Sequence, residues 1–228
     1  MWTICPQKGP RKMIEAIRRC GIIPVIKLEN VNKAGALADA LYAGGIDLAE
    51  VTFRAAGADR VIEAIRTRRP EMIVGAGTVI TLEEAKRAVS AGASFLVSPG
   101  FDEEIVEYAL ENQVMPLPGI VTPSEAIRAI KLGIDTVKFF PAEQYGGIKT
   151  IKALRGPFPN LSFVPTGGIS LSNLEEYLDT AGVTACGGSF MVKTDLINEN
   201  RWETIRDISR QAREIVKAVR ERKEENHA

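Results

Sequence analysis

Short runs of β-branched and apolar residues alternate along the chain with longer stretches whose apolar positions recur at helical spacing. The runs at 22–27, 46–53, 72–76, 94–97, 114–117, 136–139, 162–165 and 183–186 read as strands. Between them, Leu82, Ala85, Ala88 and Val89 form one helix stripe. Ile105, Val106, Ala109 and Leu110 form a second, and Ala126, Ile127 and Ile130 a third. Asn30, Thr81, Asp102, Thr122 (before Pro123) and Ser170 stand where a helix start needs a side-chain acceptor. Gly44–Gly45, Gly92, Gly133 and Gly182 stand where helices end.

The strand centres recur eight times at intervals of roughly 20–26 residues, a βα pitch that suits a barrel of parallel strands. No linker or low-complexity insert interrupts them. The pattern predicts an α/β fold, a single (β/α)8 TIM barrel domain over residues 1–228, with its core at about 20–195. An extra helix at 11–20 precedes the first strand, a long charged helix occupies about 200–224, and the tail 224–228 is expected to fray. A doubly wound open sheet shares the local pattern. Even spacing as far as the eighth strand favours closure, as does glycine at strand C-termini (Gly75, Gly77, Gly119, Gly167, Gly168, Gly187, Gly188).

In such a barrel the reactive groups lie at the C-terminal rim of the strands. Alternation across 46–54 puts Glu50, Thr52 and Arg54 on one face and Ala49, Val51 and Phe53 on the other. The apolar set suits the helices, so Glu50 points inward. An ion pair between Glu50 and Arg54 is one reading. In the sixth strand Lys138 shares a face with Thr136 and Phe140, while Val137 and Phe139 share the other. An interior lysine loses water, which disfavours the ammonium and frees the amine to attack a carbonyl. A purely structural Lys138–Glu50 pair is the alternative. Two further segments, Pro165–Ser170 after strand seven and Gly187–Ser189 after strand eight, place backbone amides where barrels commonly hold phosphate. Arg54 is a natural bidentate partner for a carboxylate.

Composition narrows the chemistry. With 29 basic and 29 acidic residues the net charge is zero, which argues against a nucleic-acid or anionic-membrane partner. No apolar run approaches the roughly 20 residues that span a bilayer, and a cytoplasmic location is expected. Cys5, Cys20 and Cys186 lack metal or disulfide spacing. The one histidine, His227, excludes a histidine triad or a multi-histidine metal centre within one folded site. Carboxylates, amines, hydroxyls and backbone amides remain.

Seven segments together carry a resemblance. They are Glu50-Val-Thr-Phe-Arg54, Gly75-Ala-Gly-Thr78, Ser98-Pro-Gly100, Pro118-Gly119, Val137-Lys-Phe-Phe-Pro-Ala-Glu143, Pro165-Thr-Gly-Gly-Ile169 and Gly187-Gly-Ser189. In this order they resemble the bacterial 2-keto-3-deoxy-6-phosphogluconate (KDPG) and 4-hydroxy-2-oxoglutarate (KHG) aldolases across about residues 20–195. The resemblance implies a class I aldolase on a (β/α)8 barrel, a homotrimer, with no metal and no cofactor beyond a covalent imine on Lys138. It implies that Glu50 relays protons and that Arg54 and Thr78 hold a pyruvate carboxylate. Pro99 and the backbone of Gly100 would line that pocket, with Phe140 against the pyruvyl group. Gly167, Gly168 and Ser189 would hold phosphate, and Thr166 would touch the hydroxylated part of a 2-keto-4-hydroxy acid. Lys27 sits where relatives can carry a basic residue. Other readings are a 2-keto-3-deoxy-6-phosphogalactonate aldolase, a phosphosugar isomerase or synthase barrel, and a non-catalytic oligomeric scaffold.

Overall fold

The computed structural model describes residues 10–225, so Cys5, His227 and the extreme ends of the chain lie outside it. Strands and helices alternate from the start. The first half runs α1 (Pro10–Cys20), β1 (Ile22–Ile26), α2 (Ala34–Ala43), β2 (Leu48–Thr52), α3 (Ala58–Arg68), β3 (Ile73–Gly77), α4 (Leu82–Ser90), β4 (Phe95–Val97) and α5 (Glu103–Glu111). The second half continues with β5 (Met115–Leu117), β6 (Gly119–Ile120), α6 (Pro123–Lys131), β7 (Thr136–Phe139), α7 (Gly147–Arg155) and β8 (Ser162–Pro165). It ends with α8 (Leu174–Asp179), β9 (Cys186–Gly188), α9 (Thr194–Asn198) and α10 (Trp202–Glu225).

Helix starts follow the expected chemistry. Thr81, Asp102 and Thr122 each accept from a backbone N–H three residues on. Thr122 and Glu125 complete a reciprocal capping box behind Pro123. Ser170 is a correction: its N–H donates to Asn173 Oδ1, and α8 begins only at Leu174.

All strand pairs are parallel, in two sheets. One is a curled six-stranded half-barrel ordered β5-β4-β3-β2-β1-β9; the other is β6-β7-β8. Only Pro118 separates β5, which pairs with β4, from β6, which pairs with β7. A proline cannot donate to a ladder, so the run breaks there. On the far side, single parallel bridges Phe163↔Val183 and Thr166↔Gly187 join the segments of β8 and β9. The α/β class and the long C-terminal helix match expectation, while the sheet hydrogen bonding forms two ladders rather than one eight-stranded ring.

The expected strand at 183–186 is displaced. Pairing falls on Cys186–Gly188, opposite Ile22, Ile23 and Pro24. Adjacent glycines read as loop because glycine weakens a strand, but here a close approach demands one: a β-carbon at Gly187 would overlap the Thr166 hydroxyl. Of the tail expected to fray at 224–228, residues 224–225 are helical as the end of α10, and 226–228 lie outside the described residues.

Strands β1, β2, β3 and β7 are buried at every position. The interior is filled by large side chains such as Phe95, Phe139, Phe163 and Tyr177. Phe139 and Phe163 meet edge to face with centroids 6.4 Å apart. Burial of each such side chain contributes about 1.5–3 kcal/mol. Helix α10 fastens the chain's beginning: Arg213 donates to the carbonyls of Arg19 and Cys20, and Arg220 to those of Arg18 and Thr184. Among the described residues no helix is long and apolar enough to cross a membrane.

Candidate active site

Lys138 sits in β7 between the fully buried Val137 and Phe139, and its side chain leaves only 4% of the residue exposed. Glu50, in β2 of the other sheet, is 2% exposed. Their side chains meet across the interior, with Nζ 3.5 Å from Oε1. The alternative ion pair between Glu50 and Arg54 is therefore replaced by one that joins two sheets. Among the described residues no donor hydrogen-bonds to Glu50 Oε1. Desolvating two charges is expensive and good pairing only offsets it; Lys138 Nζ at 3.5 Å is the group that faces this oxygen. Gly77, directly across from Thr52 in the ladder, lets the carboxylate lie flat, since a β-carbon there would overlap it. On its other side Lys138 Nζ lies over the Phe140 ring, 4.9 Å from the centroid.

The lysine opens into a cavity of about 260 Å³ at the strand C-termini. Of the residues singled out in the sequence as binding groups, Arg54, Thr78, Pro99, Phe140, Thr166, Gly167, Gly168 and Ser189 line it, while Gly100, expected beside Pro99, does not. Glu50 lies just behind Lys138. The cavity has two polar ends. At one, Arg54 reaches in from beyond β2, beside Thr78 and Pro99. Thr78 holds φ at 54°, a left-handed value that a β-branched residue adopts only under constraint. Ser98 bends the adjoining loop by donating to the Gly100 carbonyl at 2.6 Å.

At the other end, three consecutive carbonyls of the turn after β8 are bound by neighbouring segments. The N–H of Ala142 donates to Thr166 O (2.8 Å) and that of Glu143 to Gly167 O (3.2 Å). Asn173 Nδ2 donates to Gly168 O (3.0 Å). A trans peptide is planar, with its C=O and N–H opposed. With these oxygens bound, the N–H groups of Gly167, Gly168 and Ile169 lie on the opposite side of their peptide planes, and all three residues line the cavity. Such a cluster of amides is an anion cradle.

Val25 and Ile169 also line the cavity. Ile169 was legible only as part of its motif. Val25 carried no signal, because β1 is apolar at every position and shows no alternation. Lys27 is half-buried outside the lining and pairs with Glu29 at 3.0 Å. Cys20 and Cys186 are free and buried. Burial chiefly pushes the Cys20 thiol up to about 11, and raises Cys186 further, so neither is a nucleophilic thiolate at neutral pH. Neither cysteine lines the cavity, whereas the Lys138 amine does, beside the hydroxyls of Thr78, Thr166 and Ser189. Among the described residues no group of three or more His, Cys, Asp or Glu side chains is placed to hold a metal.

A buried amine paired with a carboxylate opens into a cavity of a parallel α/β fold, an arrangement that suits attack of an amine on a carbonyl. The comparisons with known proteins are specific. The family model for KDPG and KHG aldolase matches residues 13–208, and the chain belongs to that family. It is 46% identical over 204 residues to the 2-dehydro-3-deoxy-phosphogluconate aldolase of Treponema pallidum, covering 90% of this chain and 97% of the relative. Identity to the Haemophilus influenzae protein of the same name is 42% over 207 residues, covering 91% and 98%. The structure of KDPG aldolase from Legionella pneumophila, with pyruvate captured as a covalent carbinolamine, superposes with a TM-score of 0.84 at 37% identity. It covers 87% of this chain and 97% of that one.

Proposed function

We propose that this chain is a Schiff-base aldolase that cleaves KDPG to pyruvate and glyceraldehyde 3-phosphate, and 4-hydroxy-2-oxoglutarate to pyruvate and glyoxylate. The observation that carries this reading is the buried Lys138 amine, 3.5 Å from Glu50, in the lining of the cavity. The Legionella relative, described with a covalent pyruvate carbinolamine, supports the same chemistry.

The steps follow from the charges. Lys138 passes a proton to Glu50 and its amine attacks the C2 ketone, giving a carbinolamine. Glu50 returns the proton to the departing hydroxyl, water leaves, and a protonated imine forms. Through a bridging water, Glu50 then takes the proton of the C4 hydroxyl. The C3–C4 bond breaks, its electron pair moves into the imine as an enamine, and the aldehyde departs. Glu50 and the water reprotonate C3, and a second water hydrolyses the imine to release pyruvate and the free amine. Arg54 and Thr78 anchor the carboxylate beside Pro99, and Phe140 packs on the pyruvyl group. Thr166 faces the hydroxylated carbons. The amides of Gly167 and Gly168, with Ser189, take the phosphate.

The same reading closes the two ladders as one eight-stranded (β/α)8 barrel forming a single domain over the chain. It assembles the protein as a homotrimer, for which the exposed Ile80, Ile127 and Ile130 supply apolar surface. Sedimentation would give the assembly directly. The deciding chemical experiment is borohydride reduction with pyruvate. Native protein gains one reduced pyruvyl group per chain and Lys138→Ala gains none; equal labelling of both would overturn the assignment.

A further inference from the structure

A pair of side chains outside the cavity holds the turn that bears its amides. Tyr177, in α8, is 2% exposed, and its hydroxyl donates to Glu143 Oε1. Glu143 follows the Lys138 strand by a few residues, in a short 3-10 turn at Glu143–Tyr145. Its N–H is the group that holds Gly167 O at 3.2 Å. Its Cβ and Cγ occupy the space where a side chain on Gly168 would begin, and Gly168 has φ at 84°. Neither Glu143 nor Tyr177 lines the cavity. One residue thus grips the outer face of the Gly167–Gly168 turn by backbone and side chain together, and a buried phenol fixes its orientation. Burial, and then the Glu143 carboxylate, hold the phenol far above its ordinary range, so it remains a donor across the working pH.

We infer that Glu143 and Tyr177 are positioning residues for the phosphate end of the substrate, setting the amides of Gly167 and Gly168 at a fixed distance from Lys138. This rests on the phosphate reading given under Proposed function. Without the tyrosine hydroxyl the Glu143 side chain swings free and the turn loses its outer support. Binding of the phosphorylated substrate then weakens, while Lys138, held within β7 ahead of the Glu143 turn and paired with Glu50 on β2, keeps its place.

The test compares KDPG with the unphosphorylated 4-hydroxy-2-oxoglutarate. In Tyr177→Phe and in Glu143→Ala the KM for KDPG is expected to rise about tenfold, the loss that removal of one hydrogen bond to a charged group gives. Values of kcat and KM for the unphosphorylated substrate, and the rate of pyruvate trapping, stay at wild-type levels. Glu143→Gln keeps an acceptor for the phenol and the same packing, and restores most of the affinity. Equal losses on both substrates, or no change on either, would overturn the inference. Ser189→Ala and competition by inorganic phosphate separate the two ideas. If both affect KDPG and Tyr177→Phe does not, the positioning role fails alone. If phosphate does not compete and Ser189→Ala leaves the KM for KDPG unchanged, the phosphate reading fails, and the positioning role with it.

Discussion

Glu50 Oε1 and Lys138 Nζ lie 3.5 Å apart although their strands belong to different sheets, and among the described residues that oxygen accepts no hydrogen bond. The two groups are thus buried and face each other across the interior. Glu50→Gln keeps the shape and removes the basicity. Its kcat should fall by about 10²–10⁴, the usual contribution of a positioned acid–base group, while slow pyruvate trapping on Lys138 persists. Steady-state kinetics alongside trapping measures both; an unchanged kcat would rule Glu50 out.

Gly77 tests the placement of that carboxylate without touching it. A β-carbon in Gly77→Ala overlaps the Glu50 side chain and must push it aside. A displacement near 1 Å costs about 10²-fold in rate. Activity should drop by that order with the circular dichroism spectrum unchanged.

Thr78 stores backbone strain at the carboxylate end of the cavity, with φ at 54°. Such a conformation costs about 1–3 kcal/mol, and asparagine tolerates it far better. Thr78→Asn is expected to raise the unfolding temperature while weakening inhibition by pyruvate. Loss of stability in this variant would show that the strain is relieved elsewhere.

The capping box at α6 gives a pH-dependent prediction. Burial alone would raise the Glu125 carboxyl, but N–H donors from Val121 and Thr122 and the Thr122 hydroxyl outweigh it and hold the group below its ordinary 4.5. A carboxyl lowered in the folded state stabilises above its unfolded value and loses that contribution as pH falls through the folded one. Wild type should therefore lose stability faster than Glu125→Gln on acidification below pH 4.5. Thr122→Ala should cost about 1 kcal/mol at neutral pH. Thermal melts of the three proteins between neutral and acidic pH check the crossing.

Much of this site was legible because a charged residue inside an alternating strand has one physical explanation: a place in a polar interior. That argument fixed Lys138 and Glu50 on inward faces, and the motifs gathered the rest of the lining. It failed where alternation vanishes. Val25 lies in a strand buried on both faces, so nothing marked it as a wall of the cavity. Gly187 looked like loop because its reason for being glycine, the Thr166 hydroxyl, is distant in sequence. Glu143 and Tyr177 are joined by a hydrogen bond spanning 34 residues, a relation local spacing does not carry.

Strand β1 lies between β2 and β9, and its partners on one side are Cys186, Gly187 and Gly188. During synthesis the ribosome delivers that neighbour last of all the strands, so until then the nascent chain carries Ile22 and Ile23 on an open, wholly apolar edge. Arg213 and Arg220, which clasp the end of α1, emerge later still. The first strand is therefore sealed on that side only after β9, the last strand in the chain order, has emerged.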